Sequence, residues 1–314
     1  MPLNDQYPLA VTFIIGPVKQ KDDSYALEPI GTGFIVRLET RDRSLFEYVV
    51  TALHVVEGAR ESYVRIRMHD GGFEDLPVDK WVPHERGADV AVTSLARTDA
   101  MNVLWVPAPG LSWPLSPRLR PDLGDRVYFL GLLALPGARG LFERNVPMVR
   151  SGTIGAMYQD DIPLAWPDKT TRKTQAHLID CRSYGGFSGS PCFFQRDDQW
   201  TGVKEGKETR GTTTFLLGLI SAHFDDFTSA KTLGPVRAPI NTGVGIVTPV
   251  ERIVEVIDMP EFKDERERVQ NEREQRPEEG ATLDTAGESE YERFEQLARE
   301  LVNTPKPKPD ESES

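Results

Sequence analysis

Between Pro8 and Asp258 the apolar residues fall in short runs rich in Val, Ile, Phe and Thr, with Gly, Pro, Asp and Asn in the gaps. The runs are Ala10–Ile15, Gly33–Arg37, Tyr48–Ala52, Tyr63–Met68, Asp89–Leu95, Arg126–Leu133, Val149–Ala156, Ala176–Cys181, Ser190–Phe194, Thr214–His223 and Val244–Pro249. Branched and aromatic side chains suit a pleated, half-buried surface. Many such segments with turn residues between them predict an all-β sandwich or barrel. Helical gaps of the kind that join parallel strands are missing, which disfavours a parallel sheet. The first helical pattern is Val250–Ile257, with Val250, Ile253, Val254 and Ile257 on one face, and Asp258-Met259-Pro260 ends it.

The pattern changes after Pro260. Residues 261–280 are almost without apolar side chains and cannot bury enough surface to offset chain entropy, so they read as a solvated helix or as disorder. Within Glu288–Asn303, Tyr291, Phe294, Leu297, Ala298, Leu301 and Val302 make an amphipathic stripe, and Thr304–Pro309 is a polyproline-type segment. The expected division is a folded unit over 1–260 and a charged, partly helical or disordered tail over 261–314. The helix at 288–303 is a candidate handle for a protein partner or for self-association, or it folds back on its own body.

Charge sharpens this division. The net charge is −12; residues 261–314 carry 17 acidic and 9 basic side chains, and the remaining residues carry 32 and 28. The acidity therefore lies mostly in the tail, and no basic run offers a nucleic-acid surface. No apolar stretch reaches the length of a membrane-spanning helix. The N-terminal Met-Pro-Leu-Asn-Asp-Gln-Tyr lacks a basic and then apolar leader, so the expected location is the cytoplasm. Cys181 and Cys192 are too few for a disulfide framework. Free, buried thiols are expected, with a bridge between their strands as the alternative.

Three fragments carry candidate chemistry. Ser188 stands in Gly185-Gly186-Phe187-Ser188-Gly189-Ser190-Pro191. Acyl transfer needs an exposed nucleophile on a tight turn and donors aimed at the developing oxyanion. Glycine supplies the backbone freedom for the amides of Gly186 and Ser188 to point at one oxygen. An ordinary Gly/Ser turn would read the same in isolation. His54 follows the run Tyr48–Leu53 and is the only one of five histidines at a strand end leading into a short helical turn. Asp89 heads the run Val90–Leu95, where a carboxylate needs a partner to be buried. The spacing is not the Gly-x-Ser-x-Gly elbow of α/β-hydrolases, since position 190 is Ser and Pro191 follows.

Thr51-Ala52-Leu53-His54-Val55, Ala88-Asp89-Val90-Ala91-Val92 and Gly186-Phe187-Ser188-Gly189-Ser190-Pro191, in that order, resemble the three motifs of chymotrypsin-like serine peptidases. The bacterial branch that includes the Deg-type proteases is the most similar. Gly31-Thr32-Gly33-Phe34-Ile35-Val36, Gly124-Asp125-Arg126-Val127, Ser151-Gly152-Thr153-Ile154 and Gly243-Val244-Gly245-Ile246 support the resemblance over residues 10–258. It implies two six-stranded antiparallel β-barrels, a C-terminal helix and an active site between the barrels. It also implies a serine endopeptidase with His54, Asp89 and Ser188 as catalytic triad and the amides of Gly186 and Ser188 as oxyanion hole. Such an enzyme needs no metal or organic cofactor and takes a protein or peptide substrate. By the same resemblance Ser221, Ala222 and His223 face the substrate backbone, Arg182 lies near the base of the P1 pocket, His223 at its rim and Gly243 on its wall. Arg182 then either favours an acidic P1 side chain or points away to a surface carboxylate.

Two positions depart from the family pattern. Phe187 replaces the aspartate with which many secreted relatives capture a freed N-terminus, and Ser190 replaces a common glycine. No peptide-binding PDZ module is expected after the peptidase unit. The departures keep open a protease-fold binding or scaffold protein that is catalytically silent or gated by a partner.

Overall fold

Glycine, proline and aspartate at the turns divide the chain into two β-lobes followed by helix. The structure, a computed structural model, describes residues 7–20, 22–40, 43–59, 61–107, 120–132, 146–166, 168–181, 185–204, 207–226, 232–233, 236–237 and 240–274. The first lobe runs β1 (Val11–Lys19), β2 (Tyr25–Glu39), β3 (Leu45–Thr51), helix α1 (Leu53–Val56), β4 (Tyr63–Arg67), β5 (Phe73–Pro77), β6 (Val82–Pro83), β7 (Ala91–Ser94) and β8 (Val106–Pro107). The second runs β9 (Arg126–Gly131), β10 (Met148–Ala165), β11 (Thr171–Asp180), β12 (Pro191–Lys204), β13 (Lys207–Asp226), β14 (Thr232–Leu233), β15 (Val236–Arg237) and β16 (Ile240–Pro249). Helices α2 (Val250–Ile257) and α3 (Pro260–Glu274) follow.

The expectation of an all-β double-barrel architecture with a terminal helix holds, with one qualification in the first lobe. The second lobe is a closed antiparallel barrel in the order β10-β11-β16-β13-β12-β9. The first lobe is an eight-stranded sheet in the order β5-β4-β1-β2-β3-β7-β6, with β8 paired in parallel to β2. Its two edges, β5 and β6, are consecutive in the chain, so the sheet turns back on itself, but no ladder joins them. Pro77 ends β5 and Pro83 lies in β6, and a proline has no N–H to contribute to a ladder.

Alternation decides which side chains turn inward. In β4, Val64 and Ile66 are buried while Tyr63, Arg65 and Arg67 lie between them half exposed. Ile14, Ile35, Val49, Val64, Ile66 and Met101 fill the first lobe. A larger cluster, including Phe34, Val50, Phe129, Phe187, Phe193 and Ile253, runs without a break through both lobes and α2. Burial of this continuous apolar surface holds the lobes in register, and the cleft between them is where the three motifs converge.

Two segments differ from the sequence expectation. The hairpin β10–β11 extends well beyond Val149–Ala156, with pairing continuing to Ala165↔Thr171 through several bulges. Its polar residues, Gln159, Asp160 and Asp161, hide the strand pattern because that stretch is a solvent-exposed arm. Residues 261–274, expected as solvated helix or disorder, form α3 with one face docked on the first lobe. Phe262 is buried edge-on against Tyr48 at 5.1 Å. Arg266 is buried and donates to Tyr48 Oη (2.8 Å) and the Ile257 carbonyl (3.0 Å). Ser94 donates to Glu265 at 2.5 Å and Gln270 to Thr40 at 3.3 Å, so the same face carries polar contacts beside the two buried anchors. The amphipathic segment 288–303 lies outside the described residues.

Candidate active site

His54 sits in α1, immediately after β3 ends at Thr51. Asp89 precedes β7 after a turn in which Gly87 has φ +75°. The Asp89 carboxylate is fully buried and both of its oxygens are used on one residue. Oδ1 accepts the His54 backbone N–H at 2.9 Å and Oδ2 meets His54 Nδ1 at 2.8 Å. A carboxylate at Nδ1 requires that nitrogen to carry the proton, which leaves Nε2 as the basic end of the ring.

The turn that carries Asp89 is itself held by a second histidine–carboxylate pair. His84 Nδ1 accepts the backbone N–H groups of Arg86 (3.2 Å) and Ala88 (3.3 Å). His84 Nε2 bonds Glu255 of α2 at 2.5 Å, and Arg86 reaches the same carboxylate at 2.9 Å. Burial acts to raise the Glu255 pKa, but hydrogen bonds from His84, Arg252 and Arg86 outweigh it and hold the group at about 2. Both nitrogens of His84 are occupied, so it has no free base end. His177 is buried in β11, accepts the Tyr158 N–H on Nδ1 at 3.1 Å, and burial pushes its pKa down to about 4. His54 joins a fully buried aspartate on one nitrogen while its side chain stays partly exposed.

The arm β10–β11 reaches from the second lobe over α1. Trp166 lies edge-on to the His54 ring at 6.0 Å, and the Arg172 guanidinium sits over the Trp166 ring at 4.1 Å. Arg172 Nη1 and Nη2 each meet one oxygen of Glu57, just beyond α1, at 3.1 Å. Sequence reasoning missed Trp166 and Arg172, because neither belongs to a motif and only the length of the arm brings them to the cleft.

The Ser188 loop is held from below by apolar packing. Phe187 is fully buried, with its ring 5.4 Å from Phe129 in an edge-to-face arrangement. Gly186 (φ +96°) and Gly189 (φ +85°) take backbone angles that side chains disfavour. Among the described residues, no acceptor meets the amides of Gly186 or Ser188. Ser188 Oγ donates to the Ser221 carbonyl at 3.2 Å, and no hydrogen bond joins it to His54. Ser190, which replaces the usual glycine, is fully buried with no hydrogen-bond partner for its hydroxyl.

Of the expected substrate-facing residues, Ser221 lies directly beside Ser188. Ser221 is buried, with Oγ 2.6 Å from Thr248 Oγ1, and its carbonyl faces Ser188. Ala222 and His223 follow on β13, opposite Ile246 and Gly245 of β16. Ala222 lies against the cluster of Leu164, Trp166, Ala176 and Ile246. Gly243 (φ +83°) accepts the Cys181 N–H at 2.7 Å, and its missing side chain would stand 3.9 Å from Asp180 Oδ1. Arg182 lies outside the described residues. No group of His, Cys, Asp and Glu among the described residues is arranged to hold a metal, and no helix among them is long and apolar enough to cross a membrane.

Cys181 and Cys192 are both free and buried. Burial pushes the Cys181 thiol up to about 11, and burial together with the neighbouring Cys181 raises Cys192 well above its ordinary value. At pH 8 only about a thousandth of Cys181 is then thiolate, the form that reacts. Native protein treated with iodoacetamide at pH 8 should therefore keep both thiols unmodified over a time in which urea-unfolded protein is fully carboxamidomethylated, as read by intact mass.

The profile of the trypsin-like peptidase domain matches residues 31–203, a span that includes His54, Asp89 and Ser188. The chain belongs to this family of peptidases, whose substrates are peptides and proteins. Among solved structures it is similar to the MamO protease domain from Magnetospirillum magneticum, at 20% identity over 80% of this chain and 96% of that one, with a TM-score of 0.47. It is also similar to the HtrA-type protease AlgW crystallised with a decapeptide, at 16% identity over 80% of this chain, with a TM-score of 0.47. The aligned region spans 64% of the AlgW chain. A sequence comparison with curated proteins finds no match.

Proposed function

We propose that the protein is a serine endopeptidase working through an acyl-enzyme. Ser188 is the nucleophile, His54 Nε2 takes and returns its proton, Asp89 orients His54, and the amides of Gly186 and Ser188 receive the oxyanion. The observation that carries this reading is the buried Asp89 carboxylate on His54 Nδ1 at 2.8 Å. Burying a carboxylate is costly unless it is paired, and here the pairing leaves one nitrogen of the ring basic. In the acylation step Ser188 Oγ forms a bond to the peptide carbonyl carbon while its proton passes to His54 Nε2. That proton then goes to the leaving amine as the C–N bond breaks, and water repeats the sequence on the ester. A fluorophosphonate probe reproduces the first half of this chemistry. Wild type should label covalently and Ser188→Ala should not; equal labelling of the two would overturn the assignment.

A second reading, a silent or partner-gated protease-fold protein, is favoured by one observation. The Ser188 hydroxyl donates to the Ser221 carbonyl instead of His54. A seryl rotamer in this position must turn before it reacts. Labelling of the isolated wild type supports the enzyme, whereas labelling only with added partner or substrate peptide supports the gate.

A further inference from the structure

The nucleophile loop belongs to the second lobe, yet its backbone is fastened from the first. Thr32 of β2 is fully buried and makes three hydrogen bonds across the lobe boundary. Its N–H donates to the Ser188 carbonyl at 2.9 Å. Its Oγ1 donates to the Gly186 carbonyl at 2.7 Å and accepts the Leu132 N–H at 2.8 Å. Thr32 is held in turn, because Thr51 Oγ1 donates to its carbonyl at 2.7 Å.

These contacts fix the loop one peptide plane at a time. The carbonyl of Gly186 ends on Thr32 Oγ1, and that of Ser188 ends on the Thr32 amide. Between them, the carbonyl of Phe187 accepts the Ser190 N–H at 2.9 Å. Three consecutive planes therefore cannot rotate without breaking a buried hydrogen bond. The amide of Ser188 lies in the middle plane, and the plane after Gly186 fixes the Gly186 Cα, from which its own amide is separated by a single φ rotation. The Ser188 amide is aimed because the carbonyls around it are tied.

We propose that Thr32 is a positioning residue for the oxyanion donors, with its hydroxyl as the first-lobe latch on the nucleophile loop. This assignment rests on Ser188 as nucleophile and deepens that reading. Oxyanion donors act only when they are placed before the charge develops. Removing the hydroxyl leaves the Gly186 carbonyl and the Leu132 amide buried without a partner, and the loop relaxes to satisfy them.

The test compares full-length wild type, Thr32→Val, Thr32→Ala and Thr32→Ser by two readouts. The first is fluorophosphonate–rhodamine inactivation, with kinact separated from the apparent KI. Thr32→Val should lose about 100-fold in kinact, the scale of a misplaced or missing oxyanion donor, with KI within about threefold. Thr32→Ser keeps the hydroxyl and should recover to within a few-fold of wild type. Thr32→Ala removes the hydroxyl without adding a methyl and stands in for Thr32→Val if the latter does not fold. The second readout is amide hydrogen exchange over residues 185–190, which needs no activity. The Gly189 and Ser190 amides should exchange faster in the variants without a hydroxyl and at the wild-type rate in Thr32→Ser. If wild type labels neither alone nor with added substrate peptide, the serine-peptidase reading fails and exchange alone decides the latch. Equal kinact and equal protection in Thr32→Val and wild type would overturn the proposal.

Discussion

Asp89→Asn should lower fluorophosphonate labelling and peptide hydrolysis by about 10³–10⁴-fold while leaving the fold intact. Asparagine has nearly the shape of aspartate and can still accept the His54 backbone N–H on its oxygen, as Asp89 Oδ1 now does at 2.9 Å. Its second atom is then NH₂, a donor, where Oδ2 now meets His54 Nδ1 at 2.8 Å. A donor facing Nδ1 moves the ring proton to Nε2, and a protonated Nε2 cannot accept from Ser188. The loss should fall on kcat, because no atom that binds substrate has moved. Thermal unfolding should shift little, since a neutral amide is easier to bury than the carboxylate it replaces. Activity within tenfold of wild type in Asp89→Asn would mean that His54 is not oriented by this pair.

The parts of the site that the sequence disclosed are those whose chemistry is local. A serine between glycines, a histidine after an apolar run and an aspartate heading one are each visible within six residues, and in that order they carry the resemblance that implied the architecture. Barrel strands such as β4 and β9 were legible because one face of each is buried, which forces alternation or an apolar run on the chain. The arm formed by β10 and β11 was only half legible, because Gln159–Asp161 are exposed and bulges interrupt the alternation before Leu164. Trp166 reaches His54, and Arg172 reaches Trp166, only through that arm. Helix α3 was read as solvated because Phe262 and Arg266 are too few to make a stripe, although both are buried. Thr32 is an unremarkable residue in the Gly-Thr-Gly motif, and its partners are 100 residues or more away in sequence. Contacts between lobes leave no periodic trace in either partner. Phe187 was read as a missing salt-bridge residue. In the structure it is an apolar plug against Phe129, so the loop is held by packing and by Thr32.

The close approach of the lobes at that loop gives the second large expected effect. Gly189→Ala should abolish labelling and destabilise the fold by several kcal/mol, while Gly58→Ala should cost about 1 kcal/mol and leave labelling unchanged. Both glycines have positive φ, +85° at Gly189 and +78° at Gly58, so the backbone penalty of adding a Cβ is similar. Their surroundings differ. At Gly58 the added carbon meets nothing within 4 Å. At Gly189 it would stand 2.0 Å from the Thr32 carbonyl oxygen and 2.5 Å from Thr51 Oγ1. The nearest atom is backbone, and it is already tied to Thr51, so it cannot swing aside as a long side chain would. Relief requires β2 and the nucleophile loop to separate, which breaks the Thr32 N–H bond to Ser188 and the Gly189 N–H bond to Ile220 (2.7 Å) together. Overpacking of a site this rigid costs more than the conformational term alone. Chemical denaturation of the two variants side by side isolates the steric part, since the left-handed strain cancels. If Gly189→Ala lost no more stability than Gly58→Ala and still labelled, the contact between the Gly-Thr-Gly segment and the Ser188 loop would not be the joint that assembles the site.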